Sequence, residues 1–470
     1  MSTTTGGRLR AALVTAAVLG TALSASVASA SAASTGPERP DELFNSGFAC
    51  STDPAAPVFV AGNGLGVDRS VQIEGVPRDS DATDNPSLTA QYSIWPAGDP
   101  SQATTYSDAD VSTGFEGPAY VPTAGLTEGQ TYAWQARTVA GDESSHWTHA
   151  CYFTLDTTAP SAAPTITSAD YPTGQWDQGG APIQVRLGSN GVDDVAGYAF
   201  AWQQTIPVPN LGGTGAYGIP QPANPWADTA HFVQATTLGG DASLELLPPA
   251  GSSGPLTLYV ESLDRAFNVS AESSYQIMLS STAPTITPPA TAPAFGTPAD
   301  FTFSPNAAVE AASPVVSYSV QIGGQAAQTY PAGPDGTATV PLTLDQAADN
   351  DVTVSSTSAD GWVSDAATQS YYFDTTPTVS SDVYVENGTS GGVGVPGTFT
   401  FEPKVSGVVS YTYSFDWGAT ETTVAADANG AAQISWTPPQ GDGAFYDLNV
   451  YATTANGTEL SAYDYYFSVN

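Results

Sequence analysis

Tyr152-Phe153 running into Thr158-Ala159-Pro160, Tyr275-Gln276-Ile277 running into Thr282-Ala283-Pro284, and Tyr371-Tyr372-Phe373 running into Thr376-Pro377 are three copies of one phrase. The final residues, Tyr465-Tyr466-Phe467-Ser468-Val469-Asn470, are a fourth copy of its aromatic half. The prolines stand 124 and then 93 residues apart, and Asn470 lies 93 beyond Pro377. The aromatic half reads as a closing strand, and the Thr-Pro half reads as a hinge that proline stiffens. Recurrence of both at a period near 93 residues marks a tandem array of β-sandwich units.

Upstream of each phrase the same hairpin returns. Thr131 to Arg137 turns at Gly141-Asp142 into Ala150 to Leu155, and Leu256 to Glu261 turns at Asp264-Arg265-Ala266-Phe267-Asn268 towards Tyr275. Val352 to Ser355 turns at Asp360-Gly361, and Leu448 to Tyr451 turns at Asn456-Gly457. Asp-Gly and Asn-Gly favour tight hairpins because both positions tolerate positive φ. Earlier still, Tyr198, Tyr318 and Tyr411 occupy the same place in three similar segments, while Tyr92-Ser93-Ile94-Trp95 alternates in the first unit. Each unit thus offers five to seven short strands, as a sandwich of about 100 residues requires.

Composition agrees. Charged residues are 12% and aromatic residues 10%, with 46 glycines and 37 prolines, which suits strands and turns better than helices. Nothing after residue 30 shows sustained helical spacing of apolar residues, so the class is all-β. Residues 1–30 read as a cleaved signal peptide, with Arg8 and Arg10 before the apolar run Ala11 to Leu23 and small residues at Ala28-Ser29-Ala30. No transmembrane segment is expected, and the chain is read as extracellular and freely secreted. Removing residues 1–30 leaves 7 basic residues against 46 acidic ones. Such a field opposes nucleic acid and anionic lipid surfaces, which attract basic patches.

The phrase from Cys151 to Pro160, following a strand that carries Trp134, resembles bacterial Ig-like and fibronectin type III-like repeats. Repeats of this kind occur in large secreted proteins of high-GC Gram-positive bacteria. Asp264-Arg265-Ala266-Phe267-Asn268 is similar to the Asp-Arg-Ala-Gly-Asn turn of such repeats, with Phe267 replacing glycine. The resemblance implies extracellular adhesion, spacing or scaffolding and no catalysis. The alternative is a glycan-binding array that serves a hydrolase or the cell wall.

The expected domains are a signal peptide over 1–30, a disordered lead-in over 31–46, and four sandwiches. These run over 47–156, 157–280 with an insertion at 203–240, 281–374 and 375–470. Cys50 and Cys151, an even pair in a secreted chain, point to a bridge from the start to the end of the first sandwich; two buried thiols are the alternative. His146 and His149 would point to opposite faces of a strand, which is poor geometry for one metal. Gly388 to Gly392 reads as a flexible loop rather than a serine-nucleophile loop, because no histidine follows His231. Asp79, Asp81 and Asp84, and likewise Asp345, Asp349 and Asp351, are weak Ca²⁺ candidates, since carboxylates grouped in loops suit that ion. No metal or other cofactor is expected.

Trp95, Trp176 and Trp226 are the candidate sugar platforms. The insertion 203–240 is interrupted by prolines and glycines and carries Tyr217 and Trp226, which makes it either a recognition element or a lengthened hairpin packed on the sandwich. The partner is an extracellular protein or glycan of unknown identity.

Overall fold

The computed structural model describes residues 36–62, 69–80, 87–441 and 443–470. The proposed signal peptide therefore lies outside the described residues, as do Asp81 and Asp84. Within them the chain forms four successive two-sheet sandwiches.

The fourth sandwich shows the plan. Thr378–Ser381, Gly397–Glu402 and Ala432–Trp436 make a three-stranded sheet. Facing it is a five-stranded sheet in the order Thr389–Ser390, Tyr463–Val469, Ala444–Thr454, Val408–Ser414, Thr422–Ala425. Antiparallel pairing, with one short parallel edge strand, gives the arrangement of an Ig-like or fibronectin type III-like sandwich. Alternation drives the layers together: Phe399 and Phe401 from one sheet and Leu448, Val450 and Tyr465 from the other all point into one core. The second repeat has the same plan. The third has a four-stranded second sheet, and the first adds strands to both sheets.

Each core is centred on one tyrosine. Tyr198, Tyr318 and Tyr411 are fully buried, and their hydroxyls donate to the carbonyls of Gly240 (2.7 Å), Gly336 (2.6 Å) and Gly430 (2.7 Å). Tyr92 does the same to Gly117 in the first repeat. Burying a phenol requires a partner for its hydroxyl, and the turn carbonyl provides it.

Three sequence expectations need correction. Of the lead-in expected to be disordered over 31–46, residues 31–35 lie outside the described residues, and Glu38–Asn45 is a strand that pairs antiparallel with Ser70–Arg78. Phe44 and Asn45 are buried there, and Asn45 Oδ1 accepts the Trp134 indole N–H at 2.5 Å. The Gly388–Gly392 segment is not simply a loop, since Thr389–Ser390 pairs parallel with the last strand. Finally, Tyr275 and Tyr465 sit opposite Leu258 and Leu448, but the same place in the third repeat is Gln369, opposite Val352. Tyr371 falls two residues later and stacks edge-on against Phe301 at 5.7 Å, near where Phe467 meets Phe399. The closing strand of the third repeat is thus Ala367–Gln369, and Tyr371 to Phe373 follow it outside any strand, with Tyr371 and Phe373 still packed on the core.

Candidate functional site

The distinctive geometry lies at the joints between repeats, and the last hairpin of the following repeat contributes to each joint. Between the second and third, the Asp365 carboxylate accepts the Thr282 amide at 2.7 Å, and the buried Trp362 donates its indole N–H to the Thr282 hydroxyl at 3.3 Å. Gly180, with φ +94°, lets the short helix Ala307–Ala312 approach; a Cβ there would stand 2.8 Å from the Val309 backbone. One continuous apolar cluster runs from Leu279 to Trp362 and joins the cores of both repeats.

Between the third and fourth repeats, the Thr375 hydroxyl donates to the Ala347 carbonyl at 3.2 Å and accepts the Ser461 amide at 3.1 Å. Asn456, from the expected Asn-Gly turn, donates to Asp345 at 2.8 Å. Phe295 packs edge-on against Phe373 at 5.6 Å. The hinge residues Thr282, Pro284, Thr375 and Pro377 are therefore buried rather than free.

The joint between the first two repeats adds an insertion to the hairpin contacts. Asn268 donates to the Asp156 carbonyl at 2.8 Å, and the Arg265 guanidinium lies 3.6 Å over the Phe59 ring. Phe267 does adopt a left-handed backbone, φ 63°, in place of glycine. Asp264 holds that turn by accepting the Ala266 and Asn268 amides at 2.8 and 2.9 Å. The Phe267 ring is held between Phe48 of the first repeat at 6.2 Å and Trp226 at 5.4 Å.

The insertion has its own structure. Gly212–Thr214 and Pro220–Pro222 form a two-stranded hairpin, and Phe232–Gln234 adds an edge strand to the sandwich. At its tip Tyr217 meets Phe115 of the first repeat at 4.7 Å, and its carbonyl accepts the Glu116 amide at 3.0 Å. Trp226 packs inward, close to Gly197. These two candidate residues thus line the joint. Trp95 is half-buried in the first repeat and Trp176 is 60% exposed on an edge strand of the second, so the four do not form one platform.

Beside Tyr217 lies a buried acid pair that sequence reading missed. Glu74 is fully buried and its carboxyl meets that of Glu116. Burial first, and then the Glu116 charge, pushes Glu74 up to about 8, so the pair keeps a proton at neutral pH. Gln72 donates to Glu116 at 3.1 Å. No motif signals this pair, because alternation along strand Ser70–Arg78 puts Glu74 on the face opposite the core residues Val71 and Ile73, where solvent would be expected.

Cys50 and Cys151 form a disulfide with their Cα atoms 5.4 Å apart, tying the first-repeat sheets together. Trp147 lies under Arg137 at 4.6 Å, while His146 and His149 are exposed. Asp79 donates its amide to Thr113 at 3.1 Å, and Asp349 accepts the Asp351 amide at 3.1 Å. Among the described residues no cluster of three or more His, Cys, Asp or Glu is disposed to hold a metal ion. Nor is any described helix long and apolar enough to cross a membrane.

No family model and no curated protein matches the chain. Among solved structures it is similar to a tetra-tandem repeat from the extending region of a large adhesion protein, at 15% identity and TM-score 0.22, covering 86% of this chain and 96% of that one. It is also similar to E. coli alpha-2-macroglobulin in its native conformation, at 11% identity and TM-score 0.21, covering 93% of this chain and 29% of that one. A third is the FN1–FN3 segment of chicken CNTN1, at 10% identity and TM-score 0.17, covering 72% and 99%. At these scores the likeness carries no argument about function. The sandwich assignment rests on the strand order itself.

Proposed function

We propose that the chain is a secreted, non-catalytic spacer or scaffold of the cell envelope or medium, of the adhesion type, in which stiffened joints hold successive sandwiches at fixed angles. One observation carries this reading: each hinge threonine or its flanking residue is engaged by the next hairpin, at Asp156, Thr282 and Thr375. A hinge so occupied loses the freedom that a Thr-Pro linker would otherwise keep. The acidic surface, net −37 over the whole chain, favours solubility and suits an extended extracellular protein. Small-angle scattering of the chain lacking residues 1–30 tests the reading. A radius of gyration well above about 22 Å, the value for a single globule of about 440 residues, is expected; a value near it would sink the proposal.

A second reading, glycan binding, draws support from Trp176, the one of the four candidate aromatic residues whose ring is exposed and outside the joint. Loss of cell-wall glycan capture in Trp176→Ala, with the fold intact, would favour it.

A further inference from the structure

On the outer face of the fourth repeat three aromatic rings meet where no sandwich packing requires them. Phe445 lies on Ala444–Thr454, Tyr466 on Tyr463–Val469, and Trp417 on the turn after Val408–Ser414. Their centroids are 5.7 Å apart for Phe445 and Tyr466, 6.1 Å for Trp417 and Phe445, and 6.4 Å for Trp417 and Tyr466. The planes deviate by only 18° to 38°, so the rings make one continuous π surface. Trp417 is 67% exposed and Phe445 54%. Trp417 is also held at φ 59°, a conformation that a bulky side chain resists. Its turn is fixed from both sides: Asp416 accepts the Thr420 amide at 2.8 Å, and the Ser414 hydroxyl oxygen accepts the Gly418 amide at 3.0 Å. Local strain spent on exposing an indole points to recognition rather than folding.

The polar groups of this face are unbalanced. Asp447 stands opposite Tyr466 and two residues from Phe445, so it shares their side of the sheet. It is only 4% exposed, and its Oδ1 receives no hydrogen bond. Burial and then the charge of Asp464 push its carboxyl up, the response of a carboxylate without a positive partner. Asp464 accepts the Asn449 side-chain amide at 2.6 Å, and Asp416 bridges to the Asp447 backbone. Asp416, Asp447 and Asp464 thus gather three carboxylates here with no cation against them among the described residues, and the buried Asp447 Oδ1 lacks a donor. Beyond Arg265 the only Lys or Arg in the sequence is Lys404, which is engaged by Asp374 and Thr376.

The complement of a π surface with surplus acceptors is a cation that only donates, carried on an apolar stem. A neutral sugar would stack on the rings but leave the negative charge of Asp447 and Asp464 without a counterpart. The positions equivalent to Phe445 and Tyr466 hold Pro255 and Gln276 in the second repeat, and Asp349 and Ser370 in the third, so the surface is particular to the fourth. We propose that Trp417, Phe445 and Tyr466, with Asp447 and Asp464, form a docking site for a lysine side chain of a basic extracellular polypeptide. The stem lies along the rings, and the ammonium sits over the indole on the side of the exposed Asp464, with the buried Asp447 adding negative potential beneath. The acidic field of the chain steers such a partner inward.

The test uses the chain lacking residues 1–30 and a labelled Gly/Ser peptide carrying lysines, followed by fluorescence anisotropy at physiological salt. Binding is expected, with about tenfold loss in Trp417→Ala, which leaves net charge unchanged, and recovery in Trp417→Phe. Asp464→Asn weakens it and acetylation of the peptide lysines abolishes it. Equal binding by Trp417→Ala would show mere attraction to an acidic chain and overturn the site. No binding by the parent, or Trp417-dependent competition by neutral oligosaccharides, would overturn it as well.

Discussion

The Tyr411 hydroxyl donates to the Gly430 carbonyl across 2.7 Å, and Tyr318 repeats the relation with Gly336 at 2.6 Å. Burial pushes the Tyr411 hydroxyl up to about 12, so it stays a neutral donor at any physiological pH. Tyr411→Phe keeps the ring but leaves a turn carbonyl without its partner. The expected cost to the fourth repeat is about 1–2 kcal/mol. Denaturant unfolding followed repeat by repeat with hydrogen exchange should show the loss confined there; a uniform loss would contradict it.

The disulfide closes a loop of 101 residues in the first repeat, which on the chain-entropy model stabilises it by about 4–5 kcal/mol. Reduction should lower the unfolding midpoint of this repeat and leave the third and fourth almost unchanged. Two free thiols found by mass spectrometry in protein taken from the medium would contradict the bridge.

The Glu74–Glu116 pair makes stability depend on pH in an unusual direction. Glu74 titrates near 8 in the folded chain against an ordinary value of 4.5, so the folded state holds the proton more tightly than the unfolded one. Its contribution is complete below about 4.5 and is lost as pH rises towards about 8, at up to about 1.4 kcal/mol per pH unit. Unfolding of the first repeat should therefore weaken between those values. Glu74→Gln, which stays neutral, should flatten the profile; an unchanged slope would remove Glu74 as its source.

How much of this was legible in the sequence depends on which forces wrote it. The closing strands of the first, second and fourth repeats and the core tyrosines were readable because period-two alternation and the 93-residue repeat both report burial within one sandwich. The two-residue slip at Tyr371 was not, since a slip by two leaves the face pattern intact. Glu38–Asn45 escaped notice because Pro37, Pro40 and its charges resemble a tail, while its burial depends on Trp134, far along the chain. Tyr217 and Trp226 were legible as unusual residues in an unusual insertion. Their contacts with Phe115 and Phe267 belong to the joint, and no local pattern encodes those. Trp417, Phe445 and Tyr466 come together from three separate segments, so only the sheet register reveals them as one surface.

The insertion supplies the sharpest test of the joints. Tyr217 is the only insertion residue that both stacks on a first-repeat ring and accepts a first-repeat amide among the contacts described above, and Asn268 and Arg265 secure the other side. Deleting 207–230 removes the hairpin and the Trp226 support of Phe267, but spares the core residues Tyr198, Leu258 and Ile277. The second repeat should stay folded while the angle between it and the first becomes variable. Spin labels placed on the first and second repeats should then change from one narrow distance distribution to a broad one. Tyr217→Ala should produce a smaller broadening, because Asn268 still reaches the Asp156 carbonyl. A distribution as narrow as that of the parent after deletion would show that the hinge contacts alone hold the joint, and that the insertion contributes nothing to its stiffness.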